Sequence, residues 1–358
     1  MGIGFHPLRV AEVRRETVDS VSIRFEVPTE LAPVFAFRAG QHVTLRREIG
    51  GEEVRRNYSV CRAPSEAVLE VAVKQMPGGV FSGWANGQLK AGEIIDVMAP
   101  HGSFTWEFDA STQHFYAAFA GGSGITPVLS LLKTALETEP RSRFALFYGN
   151  RVSAGVMFLE QLAGLKNRYL ERLQVFHFLE EEEEEIALFN GRLDAPKCEA
   201  ILGALLAPEN VDAFFICGPG PMMDAVEQKL LARNVAKQRI LIERFTTGPL
   251  SAAQAAAARV LEAKAAGLKM SVTLNGRRSS VIFDPKNHSI LDNVRAAGLP
   301  APFACKGGVC ATCRAKVTAG KVEMKVNYGL SEADLAQGYV LTCQATPVGE
   351  GVALTYDV

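Results

Sequence analysis

No apolar run in this 358-residue chain approaches the roughly 18–20 residues needed to cross a bilayer. The opening MGIGFHPLRVAEV has no apolar signal core. It meets the myristoylation pattern only at Gly2, because His6 stands where serine or threonine is required. Charge of one sign is missing as well. The formal net charge is −1, which argues against a nucleic-acid groove or a surface for anionic lipid. These absences lead to the expectation of a cytoplasmic protein with no membrane and no nucleic-acid partner. The remaining composition, 48% apolar and 22% charged, is that of an ordinary globular chain. At this length two or three domains are expected.

Four of the cysteines form a pattern. Cys305, Cys310 and Cys313 read C-x4-C-x2-C in CKGGVCATC, and Cys343 follows after a long gap in LTCQ. This is the plant-type spacing for a [2Fe–2S] cluster, in which a distant fourth thiolate closes the cage. Anionic sulfurs offset the ferric charge, and three on one loop preorganise most of their positions. Gly307 and Gly308 lie where a bulky side chain would hinder the backbone from curling over the sulfurs. Zinc sites usually pair C-x2-C with a second C-x2-C or H-x3-H, and here the second half is a lone Cys343. Disulfides would need an oxidising compartment. Cys61 and Cys198 lie outside the pattern and read as ordinary buried thiols. A [2Fe–2S] cluster moves one electron at a time, so the rest of the chain should show where electrons enter.

Three patterns succeed one another along the chain. Residues 1–110 read as short strands broken by glycine and proline, with at most a short turn near FSGWANG, which predicts an antiparallel β-barrel. Residues 111–247 alternate apolar strands with helices, which predicts an α/β domain on a parallel sheet. Its Glu180–Glu185 run reads as a solvated loop. Residues 248–268 are Ala-rich and suit a helical or partly ordered linker rather than a core element. In residues 269–358, MSVTLNGRRSSVIFDP predicts a hairpin turning at Asn275-Gly276, followed by the helix HSILDNVRAAG and then the cysteine loop. That order fits a β-grasp ferredoxin domain.

Arg56-Asn57-Tyr58-Ser59 ends a predicted barrel strand, and here the chain resembles the ferredoxin–NADP reductase superfamily, whose R-x-Y-S motif binds flavin. The residue types suit the task. A guanidinium can take a pyrophosphate bidentately, and a tyrosine face can stack on a flavin ring. A serine hydroxyl can hydrogen-bond the flavin's redox-active edge. The resemblance implies further flavin contacts at Val71, Val73 and Lys74 in VAVK. It implies others at Gly79, Val80, Phe81 and Ser82 in GGVFSGW, and at Thr126 and Phe245.

Gly121-Gly122-Ser123-Gly124-Ile125-Thr126-Pro127 follows a predicted buried strand and opens a helix. It is not the G-x-G-x-x-G fingerprint, and by itself such a loop could be a plain strand–helix turn. Glycines let a backbone approach a pyrophosphate, and a helix N-terminus favours its charge. In the superfamily this is the nicotinamide-dinucleotide loop. Asn150 and Arg151, then Cys217, Gly218, Pro219 and Met222, stand at later strand ends, where open α/β sheets bind ligands. Cys217 could equally be a core thiol. No acidic residue occupies 148–155, so Arg151 could meet a 2′-phosphate, which leans toward NADPH over NADH. Ser59, Cys217 and Glu243 are the residues the resemblance places at the reacting atoms.

Taken over its length, the chain looks like oxygenase reductases of the phenylacetyl-CoA epoxidase type. That implies FAD, a [2Fe–2S] cluster and NADPH or NADH as cofactors. It also implies an oxygenase component as acceptor, a multisubunit di-iron epoxidase. Reductases of other ring or steroid oxygenases share the order, one phthalate-dioxygenase type carrying FMN instead. A redox sensor is the alternative from another class.

Overall fold

The computed structural model describes residues 4–245 and 252–357. The expected α/β domain end at 247 and the first Ala-rich residues, 248–251, lie outside them. The chain divides into two compact units, Met1–Glu243 and Arg244–Val358.

The first unit begins with six strands: β1 (Phe5–Thr17), β2 (Ser20–Glu26), β3 (His42–Ile49), β4 (Glu52–Ser59), β5 (Glu70–Lys74) and β6 (Ile94–Met98). They pair antiparallel in the order β4-β3-β6-β1-β2-β5. A bridge between Val60 and Val71 joins the two outer strands and closes the sheet on itself. Alternation along each strand turns Leu8, Ile23, Val43, Leu45, Val71 and Val97 into a common core, all fully buried. The FSGWANG stretch forms more than the expected turn. It is an eight-residue helix, α1 (Val80–Gly87), which buries Phe81 and Trp84 against the barrel.

The same unit continues into five parallel strands: β7 (Phe115–Gly121), β8 (Arg143–Asn150), β9 (Leu173–Leu179), β10 (Ala213–Cys217) and β11 (Ile240–Glu243). Their order is β11-β10-β7-β8-β9. Helices α2 (Ile125–Thr138), α3 (Leu159–Arg168), α4 (Ala195–Ala204) and α5 (Gly220–Ala232) connect them. The apolar strand runs are buried, with Phe119 stacked on Phe147 at 4.8 Å and Phe147 on Phe176 at 5.2 Å. Strand order reverses between β7 and β10, so a crevice opens at their carboxyl ends. Ser130 on α2 donates to the Arg62 carbonyl at 2.6 Å, tying the barrel to this sheet.

The second unit holds α6 (Ala252–Lys264), β12 (Lys269–Leu274), β13 (Arg277–Ile282), α7 (Ile290–Ala296), β14 (Arg314–Met324), α8 (Glu332–Ala336), β15 (Tyr339–Leu341) and β16 (Ala345–Thr355). The mixed sheet runs β13-β12-β16-β14-β15, with β12 and β16 parallel. Ile290, Leu291 and Val294 of α7 pack on this sheet, the β-grasp arrangement. The hairpin turns at Asn275 (φ 52°) and Gly276 (φ 72°), both left-handed as a type I′ turn requires.

The Ala-rich stretch is helical over Ala252–Lys264, but it is not only a linker. Its distal half joins the core of the second unit: Ala265 is buried there, and the Glu262 carboxylate, 7% exposed, sits 2.5 Å from Lys325 Nζ and 3.0 Å from His288 Nδ1. Scattered charges hid this role, because one of them is a buried, paired group. Burial opposes ionisation of Glu262, but His288 and Lys325 outweigh it and hold the carboxyl below its ordinary value of 4.5. Its stabilising contribution is therefore present above pH 4.5 and is lost as pH falls through the lowered value. Glu262→Ala removes the carboxylate from Lys325, which keeps the His288 carbonyl at 2.8 Å, and should cost about 2 kcal/mol, read as an earlier melt of the second unit.

Candidate functional site

The first part of the site lies on the barrel. Strand β4 pairs with β3, placing His42 opposite Ser59 and Val43 opposite Tyr58. The exposed Arg56 guanidinium donates to the Arg55 carbonyl at 2.7 Å and makes no ion pair among the described residues. Asn57 Oδ1 accepts from Thr44 at 2.9 Å. The Tyr58 ring lies 5.5 Å from that of Phe81, and burial raises its phenol pKa. Ser59 is buried and its hydroxyl has no partner. Ser82 Oγ accepts from Met76 N–H at 3.1 Å and donates to the Gly79 carbonyl at 3.3 Å, closing the turn into α1. Val80 is half-exposed beside it. Val71, Val73 and Phe81 turn their side chains into the barrel core, so only their backbone could meet a ligand. Lys74 Nζ is engaged by Asp19 at 3.5 Å and the Gly155 carbonyl at 3.4 Å.

The second part is the crevice over β7 and β10, where two loops meet backbone to backbone. A methyl group on Gly124 would lie 2.0 Å from the Cys217 carbonyl oxygen. One on Gly121 would lie 2.6 Å from Pro219 Cδ, and one on Gly218 2.7 Å from Met222 Cε. Gly122 differs: its φ is +51° and the space beside it is open. Tyr148 Oη donates to the Gly122 carbonyl at 3.0 Å and fixes that turn. Thr126 Oγ1 donates to the Ser123 carbonyl at 3.0 Å, while Ile125 and Pro127 are buried in the first turn of α2. The amide of Asn150 is buried, and its Nδ2 has no partner.

Arg151 is not the free cation that the sequence suggested. The acidic run loops back from β9, and Glu181 Oε1 accepts from Arg151 at 2.6 and 2.9 Å. Glu182 accepts from Ser153 N–H at 2.8 Å and Oγ at 3.1 Å. Absence of acid within 148–155 said nothing about acid brought in by the neighbouring strand end.

The two parts converge on Glu243, which ends β11 beside Cys217 in parallel register. Its Oε1 lies 3.5 Å from Nδ1 of His42. Cys217 is fully buried, and burial, aided by Glu243, pushes its thiol well up. His101 stacks edge-on against His42 at 4.3 Å, and burial followed by the His42 charge lowers it to about 3. Sequence reasoning missed both histidines, since no spacing links them and only strand pairing brings them to Ser59. Phe245 belongs to the second unit.

In the second unit the cysteine loop turns through Lys306 (φ 52°), Gly308 (φ 77°) and Ala311 (φ 53°), a left-handed path that curls the backbone around the thiols. Gly307 N–H points at Cys305 Sγ at 3.3 Å, and Gln344 Nε2 lies 3.8 Å from Cys343 Sγ. All four cysteines are free. Their thiols pair two by two, Cys305 with Cys310 and Cys313 with Cys343. Donation from Cys305 holds Cys310 down, and donation from Cys313 holds Cys343 down. Two pairs of sulfurs suit two irons, each taking two thiolates. The unpartnered Ser59 hydroxyl and Asn150 amide, with the exposed Arg56 guanidinium, likewise fit a flavin and a dinucleotide in the first unit.

Comparison with known proteins agrees with these fits. The oxidoreductase FAD-binding domain family matches residues 7–106 and the oxidoreductase NAD-binding domain family residues 119–228. The 2Fe-2S iron-sulfur cluster binding domain family matches residues 272–348. The chain belongs to the ferredoxin–NADP reductase superfamily, as a three-domain oxidoreductase with FAD-, NAD- and [2Fe–2S]-binding domains. Within it, the chain is 42% identical to a component of the 1,2-phenylacetyl-CoA epoxidase of Escherichia coli K12, over 99% of this chain and 98% of the relative. It is 35% identical to the ferredoxin reductase component of 3-ketosteroid-9-alpha-monooxygenase from Rhodococcus rhodochrous, over 98% and 96%. Phthalate dioxygenase reductase shares the fold at a TM-score of 0.58 with 21% identity, covering 98% of both chains. No helix among the described residues is long and apolar enough to cross a membrane.

Proposed function

We propose that this chain is the cytoplasmic reductase component of a phenylacetyl-CoA epoxidase, feeding electrons from a nicotinamide to a multisubunit di-iron oxygenase in phenylacetate catabolism. The observation that carries this reading is the 42% identity spanning nearly the whole of both chains. When bound, FAD takes hydride as an electron pair and the [2Fe–2S] cluster carries electrons away singly. The chain's own groups position and exclude. Arg56 holds the flavin pyrophosphate, Tyr58 packs against the ring and Ser59 Oγ addresses its polar edge. The Gly121–Pro127 loop and the N-terminus of α2 take the dinucleotide pyrophosphate. Cys217 and Glu243 wall the nicotinamide end. In the second unit, Cys305, Cys310, Cys313 and Cys343 ligate the cluster.

The test is reconstitution with the epoxidase's other components: phenylacetyl-CoA should drive nicotinamide oxidation and epoxide formation. Coupling to a 3-ketosteroid oxygenase instead would move the assignment to the second reading, which the 35% identical relative supports. Chromatography of the released flavin decides FAD against FMN.

The donor preferred on this geometry is NADH, a change from the NADPH expected at first. Glu181 occupies Arg151, and neighbouring carboxylates would repel a 2′-phosphate. Glu181→Ala should raise kcat/KM for NADPH about tenfold relative to NADH, in line with loss of one like-charge contact worth about 1.4 kcal/mol. An unchanged ratio would show that the acidic loop does not read the 2′ position.

A further inference from the structure

Gln344 directly follows the fourth cysteine, and its side-chain amide lies between the two parts of the thiol set. Its Nε2 donates to the Lys306 carbonyl at 2.8 Å, on the loop that carries Cys305, Cys310 and Cys313. The same nitrogen lies 3.8 Å from Cys343 Sγ, on the turn between β15 and β16. A carbonyl oxygen can only accept, so the Lys306 contact fixes which end of the amide is the nitrogen. The flipped amide would set two oxygens against each other. An amide NH₂ has two protons, and the second is left for the sulfur.

The fold holds this side chain in place. The Gln344 N–H donates to the Leu341 carbonyl at 2.9 Å, and its carbonyl accepts from Lys325 N–H at 2.9 Å. The aliphatic part of the side chain crosses Gly308, where an added methyl group would meet Gln344 Cγ at 2.9 Å and Val326 Cγ2 at 3.2 Å. Gly308 is therefore needed twice, for its φ of +77° and for the room it leaves the glutamine. Cys305 is served differently, by the Gly307 backbone N–H at 3.3 Å. A backbone donor comes with the loop, whereas a side-chain donor is set by the choice of residue.

Reduction adds one electron, and the sulfurs of an iron–sulfur centre share the added negative charge. Donors aimed at those sulfurs therefore stabilise the reduced form more than the oxidised form. We propose that Gln344 raises the reduction potential of the cluster by donating to Cys343, while its hold on Lys306 ties the three-cysteine loop to the fourth ligand. It is a positioning and tuning residue, since it acts on the iron through Cys343. A higher potential fills the cluster more readily from the flavin and empties it less readily into the acceptor, so this one amide sets the balance between the two transfers.

The inference rests on the four cysteines holding the cluster, and the parent's spectrum tests that reading by itself. The holoenzyme and two variants are titrated anaerobically with dithionite and redox dyes. The reduced cluster is followed by EPR, and iron and sulfide are counted per chain. A parent without a cluster signal would remove the cluster reading. With the signal present, Gln344→Met, similar in length but without a donor, should favour the oxidised cluster about tenfold, a potential lower by about 59 mV for a one-electron couple. Gln344→Lys restores a donor and adds positive charge, so its potential should equal or exceed the parent's. The opposite signs separate electrostatics from packing, because a merely structural role would shift both variants in one direction. A Gln344→Met potential equal to the parent's overturns the proposal, and so does a Gln344→Lys potential below the parent's. If Gln344→Met fails to hold iron, the sign of the Gln344→Lys shift decides alone.

Discussion

Cys310→Ser is expected to lower electron delivery to a one-electron protein acceptor by at least 100-fold, while NADH-to-ferricyanide turnover through the first unit persists. Cys310 is 3% exposed and accepts a hydrogen bond from the Cys305 thiol. Serine places a hard, reluctantly ionised oxygen where a soft thiolate is wanted, so a cluster held here would lose one of its four thiolates. The visible absorbance of the cluster should be lost with the activity. Ligand binding is also folding energy for a loop built around it, so the second unit should melt earlier in the variant. Cys61→Ser is the control. That thiol is buried in the barrel, pushed well up by burial, and donates to the Glu70 carbonyl at 3.3 Å, with no part in the cluster. Should cytochrome c reduction by the Cys310 variant match the parent's, electrons would be leaving by another route and the exit-port reading would fail.

The loop motifs were legible in the sequence because each is contiguous: R-x-Y-S, GGSGITP, the C-G-P strand end and the cysteine spacing are local patterns. Strand and helix types were legible for a similar reason, since periods of 2.0 and 3.6 are local. What stayed hidden was carried across the sheets. His42 reaches Ser59 only through β3–β4 register, and Glu243 reaches His42 only because β11 ends beside the barrel. Glu181 reaches Arg151 only because β8 and β9 end side by side. Glu262 looked like one more solvated charge on an Ala-rich helix, and its burial depends on Lys325 from a distant segment. Val71 and Val73 show what the motif alone left open. Their place in a motif implies ligand contact, and period-2 alternation, which turns their side chains inward, leaves only the backbone to make it.

Gly124→Ala should cost the nicotinamide step about 100-fold in kcat/KM, without loss of flavin. The glycine is not needed for its backbone angle: φ is −63° and ψ −10°, an ordinary helical conformation that alanine favours. The obstacle is contact. The added carbon would sit 2.0 Å from the Cys217 carbonyl oxygen, 2.4 Å from its carbon and 2.8 Å from Gly218 N. Two of these atoms belong to Cys217, the last residue of β10, and the third to the residue bonded to it; β10 is hydrogen-bonded on both sides, so they cannot yield. The N-terminal turn of α2 must move away instead, carrying Gly122 and Thr126 with it and widening the crevice. Overpacking of this kind typically costs about 1–3 kcal/mol, which as transition-state destabilisation corresponds to roughly 5- to 150-fold. Gly122→Ala is the comparison. Its site is open, so its penalty is the left-handed backbone alone, about 1 kcal/mol. The two variants should therefore separate, with Gly124→Ala the worse although its backbone is the more ordinary. Flavin absorbance per protein should stay at the parent value in both. Equal NADH kcat/KM for Gly124→Ala and the parent would mean that the close seating of the two loops is not what positions the dinucleotide.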